Sequence, residues 1–76
     1  MTRVYQLSFV DAAYLATHPD GDLTAALRFV RHRTRAAAVK DALRIARHIQ
    51  GAVQLQAFLI GPYGEQPEGP REEFNP

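Results

Sequence analysis

The 76-residue chain contains no cysteine and no long apolar run. Without cysteine it can form neither a disulfide nor a thiolate metal site, which is typical of proteins in reducing compartments. No stretch approaches the roughly 18 apolar residues that a membrane-spanning helix needs. The N-terminal stretch has one arginine and a broken apolar run, without the continuous core and cleavage pattern of a signal peptide. We therefore expect a cytoplasmic protein that makes no membrane contact.

Motifs that identify a reaction are also missing. Ser8 has no glycine elbow around it, and no glycine-rich phosphate loop is present. The histidines lack the spacing of metal ligands, and they are His18, His32 and His48. A chain of this length also has little interior in which to build a catalytic pocket. We expect no enzyme activity, no cofactor and no metal.

The length and the local composition predict one small domain followed by a tail. A chain this short buries only about 60% of its unfolded surface, so we expect marginal stability unless it associates. Residues 65–76 are rich in proline and glutamate and include a single large apolar side chain, Phe74. Such a segment buries too little to order itself. We predict a domain over 1–64 and a flexible acidic tail over 65–76.

The clearest elements lie between Thr34 and Ile60. Thr34 is suited to cap a helix over Arg35–Gln50, which is rich in alanine and leucine and is followed by Gly51, a residue suited to a left-handed C-terminal cap. Its predicted apolar stripe consists of Val39, Ala42, Leu43, Ala46 and Ile49. A strand should follow over 52–60, where Val53 and Leu55 alternate with glutamines.

The segments before this helix are predicted to be strands. Residues 3–10 alternate with Tyr5, Leu7 and Phe9 on one face, which should face the core. After Asp11 the chain either continues as a bulged strand or forms a short helix, capped by Asp11, to about Thr17. The turn at 18–22 favours the strand, because a hairpin needs a strand on both sides.

Residues 23–32 pose the same choice. As a strand, the segment places one apolar set on a single face: Leu23, Ala25, Leu27 and Phe29. As a helix, it would begin at Asp22 as the cap. We favour the strand, which gives an α+β fold of order β-β-α-β: one helix packed on a small, mainly antiparallel sheet.

Positive charge is concentrated in the middle of the chain. Residues 28–48 carry seven lysines and arginines against one acid, although the net charge of the whole chain is only +1. Such a cluster is suited to phosphates, because guanidinium groups bind them well. The predicted partner-binding residues are Arg28, Arg31, Arg33, Arg35, Lys40, Arg44, Arg47 and His48. The alternative is a solvated polar face, with some arginines paired to acids. The acidic tail is also a candidate to fold over the basic face.

Two resemblances bear on function. Arg33–Ala38 resembles the strand-to-helix junction of small bacterial β-β-α-β modules. In size and charge, and in its lack of cysteine and catalytic motifs, the chain resembles small phage and mobile-element proteins, including anti-CRISPR inhibitors. We expect a non-enzymatic binding module that presents a basic face to nucleic acid or to a protein machine that handles it. The alternative is a structural module that forms a homodimer through its strand edges, without a role in nucleic-acid binding.

Overall fold

A four-stranded antiparallel sheet forms the framework of the protein. The computed structural model describes all residues, Met1–Pro76. Its elements are β1 (Thr2–Val10), α1 (Ala12–Thr17), α2 (Leu23–Ala26), β2 (Leu27–His32), α3 (Arg35–Ile49), β3 (Val53–Gly61) and β4 (Gly64–Phe74). The strand order is β2-β1-β3-β4, and every neighbouring pair is antiparallel. The predicted α+β class is therefore confirmed, whereas the predicted order β-β-α-β omits two short helices and the last strand. None of the three helices has the length and apolar character needed to cross a membrane.

The long helix α3 begins where the sequence predicts. The Thr34 hydroxyl accepts a hydrogen bond from the Ala37 amide at 3.2 Å, which satisfies one of the free donors of the first turn. At the other end the left-handed residue is Gln50, with φ of 54°, rather than Gly51. Gln50 tolerates this conformation because its backbone amide bonds to the Ala46 carbonyl and its side-chain amide donates to the Arg47 carbonyl at 2.7 Å.

The core lies between α3 and one face of the sheet. The sheet contributes Leu7, Val53 and Leu55, which are almost completely buried. The helix contributes Ala38, Ala42, Ile45 and Ala46. Of the predicted stripe, only Ala42 and Ala46 are fully buried. Their small side chains allow the alanine side of α3 to pack closely on the sheet. Leu43, predicted to be in the core, remains 39% exposed.

The connection between β1 and β2 is helical, which corrects the predicted long hairpin. Asp11 caps α1 by accepting from the Tyr14 amide at 3.1 Å, and Asp22 caps α2 by accepting from the Ala25 amide at 2.8 Å. These side-chain hydrogen bonds stabilise helical turns that alternation alone does not reveal. Leu27 and Phe29 do lie in a strand, but on the face that points away from α3.

The C-terminal segment is a strand rather than the predicted flexible tail. β4 pairs with β3 from Gly61–Gly64 to Val53–Phe74, so the domain extends to residue 74. Phe74 packs against the core cluster, so this segment buries apolar surface although its composition is mostly polar. β4 is an edge strand, the position in a sheet where proline is tolerated, and Pro67 lies within it.

Candidate functional site

The outward side of α3 carries a basic groove. Four of the predicted site residues line it, and they are Lys40, Arg44, Arg47 and His48. His32 at the end of β2, together with Ala37, Asp41 and Leu43 of α3, completes the lining. Spacings of three, four and seven residues place the basic groups on neighbouring turns of one helix face. We call this set of eight residues the α3 groove.

Asp41 is the only acid in the α3 groove, and it joins two of the basic groups. One of its carboxylate oxygens accepts from His32 Nε2 at 2.8 Å, and the other accepts from Arg44 Nε and Nη2 at 2.8 and 2.6 Å. Burial by itself would raise the pKa of Asp41. The hydrogen bonds from His32 and Arg44 outweigh that effect and hold the pKa of Asp41 below its ordinary value of 3.8. Asp41 therefore stays ionised and connects β2 to α3.

The other basic groups of the groove have no partner within the chain. The side chains of Lys40, Arg47 and His48 make no hydrogen bond or ion pair with another residue, and all three are exposed. Lys40 and Arg47 are seven residues apart, which corresponds to about 10.5 Å along the helix axis. Leu43 lies on the turn between them and is partly exposed. The groove thus combines free cations with a small apolar area.

Three other predicted site residues are occupied by contacts within the chain. Arg31 lies on the sheet face opposite α3 and forms a bidentate pair with Glu65, at 2.6 and 2.7 Å. Arg28 contacts Asp11 at 3.5 Å and lies over the ring of Tyr14.

Arg35, the third of these paired residues, forms an ion pair with Glu72. Arg33 follows β2 and is exposed, with no ion pair. The structure therefore does not gather all eight predicted residues into one surface.

The glutamates of β4 account for much of this pairing. Glu65 and Glu72 bind Arg31 and Arg35, and Glu68 forms two hydrogen bonds with Arg3 at 2.7 and 2.9 Å. The hydrogen bond from Arg31 holds the pKa of Glu65 below its ordinary value. The acidic segment thus neutralises arginines around the sheet, but none of its glutamates pairs with a basic group of the α3 groove.

Four residues that line the groove are not among the predicted site residues, and they are His32, Ala37, Asp41 and Leu43. Asp41 was visible as the one acid among seven cations, but its bond to His32 depends on how β2 lies beside α3. Periodicity places Leu43 in the apolar stripe of α3, but it does not show which side of that stripe faces the sheet. No three His, Asp or Glu side chains come close enough together to bind a metal ion.

Comparisons with known proteins found no match for this chain. No protein-family model matches the chain, and no curated protein or solved structure is significantly similar to it.

Proposed function

We propose that the protein is a non-enzymatic binding module whose α3 groove binds the phosphates of nucleic acid. The observation that carries the proposal is that unpaired cations gather on one face of α3, whereas three of the predicted arginines outside the groove are paired within the chain. Arg28, Arg31 and Arg35 are paired within the chain, whereas Lys40 and Arg47 are exposed and unpaired on one helix face. Unpaired cations on a common face are free to release counterions from a phosphate backbone.

The dimensions of the groove suit a short run of phosphates. Phosphates on one strand of duplex DNA follow one another at about 3.4 Å along the axis, so about 10.5 Å of helix covers roughly three steps. Arg44 lies between Lys40 and Arg47 on the same face, and its side chain is 69% exposed despite the pair with Asp41. These three side chains provide about three phosphate contacts without base-specific readout.

A protein that handles nucleic acid is the second candidate partner. Leu43 gives the groove an exposed apolar centre between cations, and this combination suits an acidic protein surface that also presents an apolar side chain. In this version the protein acts as a phage-type inhibitor of such a machine. This version predicts that the protein co-purifies in a stable complex with its protein partner, and that it does not bind free DNA or RNA at low salt.

The test is fluorescence anisotropy with labelled DNA and RNA over a series of salt concentrations. With about three phosphate contacts, affinity for duplex DNA should fall roughly 40-fold between about 50 and 200 mM salt. Arg47→Glu should weaken binding at least about eightfold at about 0.1 M salt, because it removes one contact and adds repulsion.

Arg71→Glu is the matched control for this measurement. Arg71 is also an exposed arginine without an ion pair, but it lies in β4, outside the groove. Its substitution should change affinity less than about twofold, because no phosphate contact is lost. Equal losses for the two variants, or no binding by folded wild-type protein at low salt, would contradict the nucleic-acid proposal.

A further inference from the structure

The face of the sheet opposite α3 is not covered by any element of the chain. Leu27 and Phe29 project from β2 on this side and are 38% and 59% exposed. Ser8 on β1 and Phe58 on β3 lie on the same side, since Ser8 pairs with Phe29 and Val4 pairs with Phe58. We call this surface the open face.

We infer that the open face is the interface of a homodimer, in which two copies pack sheet against sheet. The first argument is area. A monomeric protein of this mass is expected to expose about 4,650 Å², whereas this chain exposes 5337 Å². The excess of about 700 Å² is close to the roughly 800 Å² that each partner buries in a standard interface.

The second argument is that the glutamines of the open face have their partners within the chain. Gln6 accepts from Arg31 at 2.8 Å, Gln54 donates to Glu73 at 2.8 Å, and Gln56 donates to the carbonyls of Ala57, Glu68 and Gly69. Burying a polar group is costly when it loses its hydrogen bonds to water without replacing them. Here the replacements already exist, so a second copy can cover these side chains.

The third argument is charge. Arg31 crosses the open face to Glu65 and lies over the ring of Phe58 at 5.9 Å, so its charge is compensated within the face. Arg71 also lines this face and has no ion pair, and the charge of Glu73, which binds Gln54 on the same face, offsets it. One unpaired cation provides too few phosphate contacts for nucleic acid, whereas a second copy meets no net repulsion.

The strand edges provide a less suitable dimer contact. Pro67 and Pro70 lie in β4, the outer strand on one side, and each lacks a backbone donor. β2, the outer strand on the other side, is only six residues long and carries two arginines. Short, charged or proline-containing edges oppose strand addition. Sheet-on-sheet packing leaves α3 on the outside of each copy, so this inference does not depend on the proposed function.

The test is sedimentation velocity of the full chain from one to several hundred micromolar. Wild-type protein should shift from monomer to dimer over this range, and Phe29→Glu should weaken association at least tenfold. Leu23→Glu is the matched control, since Leu23 is 64% exposed but belongs to α2 and is not among the residues that line the open face. It should dimerise like the wild type. A wild-type monomer at every concentration, or equal association of Phe29→Glu and wild type, would overturn the inference.

A second measurement covers the case in which Phe29→Glu does not fold, as judged by circular dichroism. The natural chain has no cysteine, so Ser8→Cys introduces a single thiol on the open face, and Lys40→Cys introduces one on the opposite side of the molecule. Packed sheets lie about 10 Å apart, which a flexible bis-maleimide can span. Ser8→Cys should give a covalent dimer and Lys40→Cys should not. The reverse pattern, or no crosslinking of either variant, would refute the open-face dimer.

Discussion

Replacement of Asp41 by asparagine should strengthen nucleic-acid binding while it weakens the fold. Asp41 is the only acid in the α3 groove, where it accepts two hydrogen bonds from Arg44 and one from His32. Asparagine has nearly the same shape and can still accept one bond, but it carries no charge. The substitution therefore releases the Arg44 guanidinium without removing a cation from the groove.

The two effects have different sizes. Arg44 is counted among the three phosphate contacts even while it is paired with Asp41, so the gain comes from removing the competing carboxylate. Affinity for duplex DNA should rise severalfold, with roughly eightfold at about 0.1 M salt, the value of one whole contact, as the upper limit. The lost pair with Arg44 contributes a few tenths of a kcal/mol, because Arg44 is 69% exposed and solvent screens it. The pair with His32 is more buried, so the total loss of stability should be about 1 kcal/mol, or about 4–8 °C in Tm.

Both quantities can be measured on one preparation, by anisotropy with labelled duplex DNA and by thermal unfolding. Asp20→Asn is the control, because Asp20 is an exposed acid in the turn before α2, with no ion pair and the same change of charge. It should leave Tm unchanged and raise affinity less than about twofold. If folded Asp41→Asn protein binds no better than Asp20→Asn, then the α3 groove is not the phosphate site.

Two further predictions concern the fold. A chain that ends at Tyr63 lacks β4 and Phe74 and exposes Val53 and Leu55, whose burial contributes about 1.5–3 kcal/mol each. Since a chain of this length has a total stability of about 4–11 kcal/mol, the truncated protein should be largely unfolded by circular dichroism, and a cooperative transition at the wild-type Tm would contradict the role of β4. Second, the pKa of Asp41 is lowered in the folded protein, so its stabilisation is complete well above its ordinary value of 3.8 and disappears as the pH falls through the native value. The Tm difference between wild type and Asp41→Asn should therefore be full at pH 6 and vanish at strongly acidic pH, and a constant difference would show that the charge of Asp41 is not its cause.

The parts of the fold that sequence predicts well are those with strong local signals. The Thr34 cap, the alanine-rich helix and the alternation around Leu7 and Leu55 each determine their element without reference to distant residues. Asp11 and Asp22 are equally good caps, but their helices are so short that strand alternation competed with them. The turn between them has the composition of a hairpin turn, although it joins two short helices.

The last strand could not be predicted from its composition. Proline, glycine and glutamate are typical of disordered segments, and local sequence does not show that β3 has an unpaired edge for this segment to join. The glutamates are stabilised by arginines far away in sequence, such as Arg3 with Glu68, 65 positions apart. Long-range pairing of this kind becomes visible only in the assembled sheet.

The grouping of the basic residues was predictable only in part, for a similar reason. Periodicity places Lys40, Arg44 and Arg47 on one helix face, and the structure brings these residues together in the groove. The arginines of β2 are close to this helix in sequence, but closeness in sequence does not place them on the same surface. Successive side chains of a strand point to opposite faces, so Arg31 lies on the open face while Arg28 lies beside α1.

The most direct test of the proposed nucleic-acid site is a titration of ¹⁵N-labelled protein with short DNA and RNA strands, followed by amide chemical shifts. The α3 groove predicts that the largest changes fall on residues 37–48, that they diminish as salt is added, and that Arg47→Glu needs at least about eightfold more nucleic acid to reach the same changes, whereas Arg71→Glu does not. Changes that centre instead on Phe29, Gln56 and Phe58 of the open face would contradict the proposed site, as would a spectrum that nucleic acid leaves unchanged at low salt.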